Sequence, residues 1–261
     1  MDFHIQNKTA LVTGAGGGLG QAIAVSLAGE GVKVVLADIN LDAARQSAEV
    51  IKKKGGKALA LEWDLADLDT AQNKLDQVKQ QVGEVDILVN NTGGPPPTPA
   101  AGVPAADWER NFRLMVSGVI HLTDLVLPGM RQRKWGRIIT SASSGVVAPI
   151  PNLGISNALR LALVGWSKTL AREVAAEGIT ANIVLPGRIA TARIEQLDRA
   201  RAQREGRSLE DIVKLSTASI PAGRYGSPKE YGDTVAFLAS EAASYMTGST
   251  VRVDGGYIAS I

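Results

Sequence analysis

The chain has 261 residues, 45% of them hydrophobic and 21% charged, the make-up of an ordinary globular protein with enough chain to bury a substantial core. A net charge of +2 with no long basic run argues against a nucleic-acid face, and the absence of cysteine excludes disulfides, thiolate nucleophiles and cysteine-built metal sites. With His4 and His121 as the only histidines, no metal site is expected.

Taken in order, the N-terminal Met1-Asp2-Phe3-His4-Ile5-Gln6 lacks a basic region followed by an apolar one, so it does not read as a signal peptide. No apolar run approaches the ~18 residues of a membrane span, so a cytoplasmic protein with no membrane partner is expected. Ala10–Thr13 and Val32–Ala37 read as buried strands, and Ile87–Val89, Arg137–Thr140, Ala181–Leu185 and Val251–Val253 follow. Amphipathic helical patterns lie between them: one carries Ile23 and Leu27, and another, 154–177, carries Leu159, Leu163 and Leu170. Such alternation predicts an α/β fold, a doubly wound parallel sheet whose strands are joined by helical crossovers. Nothing splits the chain, so 1–261 reads as one dinucleotide-binding domain.

Two connections follow strand ends. Gly93-Gly94-Pro95-Pro96-Pro97 is a stiff extended loop, because three prolines can neither continue a helix nor pair inside a sheet. The segment 188–217 is rich in arginine and reads as a mobile substrate loop. Ligands of open α/β sheets sit beyond the carboxyl ends of the strands, so both segments are candidates to line one cleft, with Gly94, Pro95 and Arg188 as tentative substrate contacts. The alternative is that they are surface connections.

Thr13-Gly14-Ala15-Gly16-Gly17-Gly18-Leu19-Gly20 joins the first strand to the first helix. Glycines there permit positive φ and close backbone approach, and free N–H groups at a helix start favour a pyrophosphate. Asp38, 18 residues past Gly20, ends the second strand. A carboxylate there accepts hydrogen bonds from both ribose hydroxyls and repels a 2′-phosphate, so NAD(H) is expected over NADP(H). Ala15, Gly16, Gly17 and Ile39 supply no cation to offset that repulsion. The competing role for Asp38 is a turn or helix cap.

These features, with Asp64-Leu65, Asn90-Asn91-Thr92-Gly93, Arg137-Ile138-Ile139, Pro186-Gly187-Arg188-Ile189-Ala190-Thr191 and Val253-Asp254-Gly255-Gly256, resemble the short-chain dehydrogenase/reductase family over nearly the whole chain, beta-ketoacyl-acyl-carrier-protein reductases in particular. The resemblance implies a seven-stranded Rossmann sheet in the order 3-2-1-4-5-6-7 and a homo-oligomer, tetramer or dimer, built on helices around 104–133 and 154–177. It places Gly14, Gly16, Gly18, Leu19, Gly20, Asp38, Asp64, Leu65, Asn91, Gly93, Arg160, Pro186, Gly187, Ile189 and Thr191 around the cofactor. Asp64 falls to the adenine, Asn90 to support of the central strand, and Ile189 and Thr191 to the nicotinamide.

The family's catalytic set is an Asn, a Ser, and a Tyr with a Lys four residues later. Laid on this chain without gaps, Ser143 keeps the serine position. Ser156 stands thirteen residues on, where the tyrosine belongs, Arg160 takes the lysine position, and Met115, 28 residues before Ser143, takes that of the asparagine. Tyr225 is the nearest tyrosine in sequence, and Lys168 lies about 12 Å further along the helix than Arg160. An aliphatic hydroxyl is a far weaker acid than a phenol, and a guanidinium does not give up its proton. The candidate catalytic residues are therefore Ser143, Ser156 and Arg160, with Met115 and His121 read as structural. Arg160 and Arg188 could bind an anionic group of a small-molecule substrate; alternatively Arg188 pairs with Glu195 or Asp198, and Ser143 only caps backbone. Three functions stay open: an NAD(H)-dependent carbonyl/alcohol oxidoreductase with altered acid–base groups, a non-catalytic NAD(H)-binding sensor or partner subunit, and a lyase or isomerase acting on an anionic substrate.

Overall fold

A computed structural model describes Asp2–Ile261. Strands β1 (Thr9–Thr13), β2 (Lys33–Asp38), β3 (Ala58–Glu62), β4 (Ile87–Asn90), β5 (Gly136–Ser141), β6 (Ile179–Pro186) and β7 (Thr250–Val253) form one parallel sheet in the order β3-β2-β1-β4-β5-β6-β7. The pleat sends alternate side chains to opposite faces. Ala10 and Val12 of β1 join one core with α1 (Gly18–Gly29), α2 (Leu41–Lys53) and α9 (Pro228–Leu238). Leu11 joins the other, with α3 (Ala71–Gln81), α5 (Gly118–Arg133) and α6 (Gly154–Val174). Both faces of the central strands are thus covered, which explains their continuous apolar runs. Each fully buried Leu, Ile or Val among them contributes about 1.5–3 kcal/mol.

The expected doubly wound fold and strand order are the ones observed. β3 adds a strand that the apolar pattern had not marked: Ala58-Leu59-Ala60-Leu61-Glu62 sits at the sheet edge, only half buried, and carries no β-branched residue. Between α4 (Ala105–Phe112) and α5, residues Arg113–Ser117 form a π turn in an otherwise continuous helical stretch. That stretch, Ala105–Arg133, is long and apolar enough to cross a membrane, with a mean hydropathy of 1.2 in its most apolar window. Its Val119, Leu122, Val126 and Met130 are buried in the protein core. The segment 188–217, read as a loop, is largely helical, with α7 (Ala192–Glu205) capped by Thr191 and α8 (Leu209–Ala218) capped by Ser208.

The sheet order reverses between β1 and β4, where the two halves of the fold leave a crevice beyond the strand ends. The entry to α1 is packed tightly there: a Cβ on Gly20 would lie 2.1 Å from the Gly14 carbonyl oxygen. Backbone cannot retreat as a flexible side chain can. Gly20→Ala should therefore lower the unfolding free energy by about 3 kcal/mol, read from the denaturant midpoint. An unchanged midpoint would mean the turn yields freely.

Candidate active site

One cleft of about 830 Å³ lies along the carboxyl ends of the central strands, from the end of β2 to the start of α7. At its first end the glycine loop is held by β4. The Thr13 hydroxyl donates to the Asn91 carbonyl at 2.9 Å and accepts the Asn91 N–H at 3.0 Å. The Asn91 amide nitrogen donates back to the Thr13 and Gly14 carbonyls. Gly14 and Gly18 have φ of +56° and +54°, where a Cβ would be strained, and a Cβ on Gly14 would also strike Asn91. No side chain caps α1 at Gly17, so its first N–H groups and the positive end of its dipole face the cleft. Such a cradle fits a pyrophosphate.

Asp38 lines the cleft beside Gly17 and Ile39. One carboxylate oxygen accepts the Gly16 N–H at 2.8 Å and the other the Asn40 N–H at 2.9 Å. It is therefore a turn-holding residue as well as a cleft residue, and its remaining lone pairs are available to a ligand. Asp64 and Leu65 lie on the same side, with Asp64 accepting the Ala66 N–H at 2.8 Å. Asn90 is buried at the end of the central strand β4, donating to the Thr123 hydroxyl at 3.2 Å.

At the other end, Ser143 and Ser156 both line the cleft. Ser143 caps a short turn, its Oγ accepting the Gly145 N–H at 3.1 Å, so its hydroxyl proton is still free to donate. Ser156 is in the first turn of α6 and, among the described residues, shares its hydroxyl with no protein group. One turn on, Arg160 is 7% exposed and reaches the ends of two strands, donating at 3.1 Å to both the Ser141 and Thr92 carbonyls. Burial, with Arg193 nearby, pulls its guanidinium down to about 10, which still leaves it cationic at neutral pH. Met115 is fully buried in the π turn, packed with Ile155, Leu159 and Leu163 of α6, so apolar packing occupies the asparagine position.

All four tyrosines can be placed. Tyr231 is buried behind the cleft wall, its hydroxyl 2.8 Å from the Ser141 Oγ, and burial holds its pKa well above the usual phenol range. Tyr225 donates to Asp198 at 2.7 Å, and burial together with that bond raises its pKa. Tyr245 is fully exposed, and Tyr257 alone reaches the cleft, from the C-terminal tail. No lysine lines the cleft among the described residues.

The remaining expected residues divide. Gly93, Gly94, Pro186, Gly187, Ile189 and Thr191 border the cleft, whereas Gly16, Gly20 and Pro95 stand behind its surface. Arg188 lines the cleft but is not free: it bonds Asp198, itself 1% exposed, at 2.6 Å. Burial alone would lower the Arg188 pKa; the Asp198 bonds outweigh it and raise it. Of the two readings left open for Arg188, the structure shows the pairing with Asp198 and not a free partner for Arg160. The sequence reading missed Arg193, two residues past Thr191. Its guanidinium crosses from α7 to the proline loop, donating to the Pro95 carbonyl at 2.8 Å. Only its close spacing to the Pro-Gly-Arg-Ile-Ala-Thr run could have singled it out.

The family described as enoyl-(acyl carrier protein) reductase matches residues 14–258. The 3-oxoacyl-(acyl-carrier-protein) reductase FabG of Escherichia coli (strain K12) is 38% identical over 257 residues, covering 97% of this chain and 98% of that protein. The crystal structure of L-sorbose reductase from Gluconobacter frateurii, complexed with NADPH and L-sorbose, is 32% identical with a TM-score of 0.94 and full coverage of both chains. NAD+-bound xylitol dehydrogenase is 28% identical with a TM-score of 0.90, covering 97% of this chain and 100% of that one.

Proposed function

The chain belongs to the short-chain dehydrogenase/reductase family, and from that premise we propose that it transfers hydride between NAD(H) and a carbonyl or alcohol substrate without the family's tyrosine and lysine. The observation that carries this is Asp38, a carboxylate at the end of β2 in the same cleft as Ser143 and Ser156. Among the similar structures, L-sorbose reductase, YwfH and the actinorhodin polyketide ketoreductase are NADPH complexes or NADPH dependent and xylitol dehydrogenase is NAD+-bound, so likeness leans toward NADPH and the case for NAD rests on Asp38. Asp38 favours NAD, because the oxygens that would accept the ribose hydroxyls would repel a 2′-phosphate.

The glycine loop would hold the pyrophosphate, Asp38 the adenosine ribose, and Arg160 the second ribose with donors its two carbonyl bonds leave over. A bound nicotinamide supplies or takes the hydride. The Ser143 hydroxyl orients the substrate carbonyl by donating to its oxygen. With Ser156 and Arg160 in place of the family's phenol and ammonium, water gives the proton that completes the alcohol, which leaves out the general-acid contribution of ~10²–10⁴ in rate. The segment 188–217 would open and close over the substrate end. Assembly into a homo-oligomer through the long helices, where Phe112 and Leu161 are exposed, belongs to the same proposal.

A second reading, an NAD(H)-binding protein without turnover, is favoured by the same lack of any lysine in the cleft. NADH fluorescence separates the two. Binding followed by slow oxidation in the presence of pooled ketones, aldehydes and oxo acids is the expected result. Tight binding with no oxidation across the pools would favour the second reading, and an acid chemically changed without NADH oxidation would favour a lyase or isomerase.

A further inference from the structure

Four arginines line the cleft, Arg110, Arg160, Arg188 and Arg193. Arg110 pairs with Asp107 at 2.8 Å and Arg188 with Asp198 at 2.6 Å. The other two have no carboxylate among the described residues. Arg160 spends two of its five N–H donors on carbonyls, and Arg193 binds the Pro95 carbonyl and the Gln196 side-chain oxygen at 3.3 Å. They converge: a Cβ built on Gly94 would lie 3.7 Å from a terminal nitrogen of Arg193 and 3.9 Å from one of Arg160.

Two buried or half-buried cations so close repel one another and have lost hydration that neutral oxygens replace only in part. An anion between them would relieve both costs. The cleft's unpaired carboxylates cannot serve, since Asp38 and Asp64 lie at the ends of β2 and β3. Arg160 is held at β4 and β5, two or three strand spacings from β2, or about 10–14 Å. The same cleft is lined by apolar side chains close in sequence to the two arginines, Ile150 and Leu153 before Arg160 and Ile194 and Leu197 after Arg193.

We propose that Arg160 and Arg193 together bind the carboxylate of a substrate whose body is apolar, seated against Ile150, Leu153, Ile194 and Leu197. A planar carboxylate suits two guanidinium forks, and an apolar tail suits the wall. This deepens the dinucleotide reading, with the three N–H donors that Arg160 has left shared between the second ribose and the carboxylate; the anion site itself rests on the two unpaired cations.

Calorimetry with hexanoate and its neutral isostere hexanamide, on free and NADH-saturated protein, tests it. Hexanoate should bind at least tenfold tighter than hexanamide. Arg193→Gln should abolish that preference while leaving the NADH Kd within twofold, and Arg193→Lys, which keeps the charge, should retain part of it; thermal melts confirm that both variants fold. Equal affinity for the two probes, or binding of neither, overturns the proposal. So does an Arg193→Gln variant whose NADH Kd rises as much as its hexanoate Kd, because the arginines would then be serving the cofactor's pyrophosphate. Failure of the wild type to bind NADH would instead overturn the dinucleotide reading, while the hexanoate comparison on free protein still decides this one.

Discussion

Asp38→Ala should weaken NADH binding about 100-fold while changing NADPH binding much less. On the proposed reading the carboxylate would accept two ribose hydroxyls in charge-assisted hydrogen bonds, each worth about 1.5–3 kcal/mol. Losing about 3 kcal/mol net corresponds to two decades of affinity. The 2′-phosphate of NADPH would meanwhile be freed of a like charge, which offsets part of its own loss. A confounding effect is built into the site, because the Asp38 carboxylate also accepts the N–H groups of Gly16 and Asn40. Alanine therefore loosens the phosphate loop for either cofactor. The ratio of the two dissociation constants, measured by fluorescence titration, separates the contributions. A fall in both affinities by one factor would make Asp38 a loop anchor alone, and a change below threefold for NADH would remove it from the ribose altogether.

What the sequence made legible follows from how local each feature is. The glycine loop and Asp38 lie within one β1–α1–β2 unit, so residue identity and spacing define them before distant parts of the chain come together. The central strands were legible because both faces are buried, which leaves an unbroken apolar run. β3 lacks that signature: its alanines and leucines suit a helix as readily, and pairing with β2 decides the matter. The helix α7 carried a weak stripe, chiefly Ile194, Leu197 and Ala202, though its Glu195–Arg199 and Arg201–Glu205 pairs at four-residue spacing were a helical signal. Partnership was harder still. Whether Arg188 was free depended on the turn between β6 and α7, which brings Asp198 back to it. Arg193 acquired its place only through a contact with Pro95, 98 residues away.

The largest gain expected of any substitution belongs to the double variant Ser156→Tyr, Arg160→Lys. General acid–base help contributes ~10²–10⁴ in rate, and a phenol has a pKa near enough to neutrality for a neighbouring ammonium to bring it into use, as an aliphatic hydroxyl has not. NADH-dependent reduction of ethyl acetoacetate, a neutral probe, should therefore rise at least ~100-fold over the wild type. Two features of this site work against the gain. Lysine cannot span both the Ser141 and Thr92 carbonyls that Arg160 now ties together, so the variant should melt a few degrees lower, a loss of about 1–2 kcal/mol. And Met115 stays where the family has asparagine, fully buried among Ile155, Leu159 and Leu163, so any relay through that position remains closed. Neither removes the proton donor from the cleft, which Ser156 lines although it is only 7% exposed. Ser156→Tyr alone should recover part of the rate, since Arg160 offers positive charge but stays protonated and cannot relay a proton. A folded double variant that binds NADH and reduces the probe no faster than the wild type would locate the deficit elsewhere, with the Ser143 hydroxyl turned to Gly145 and the apolar Met115 as the first places to look.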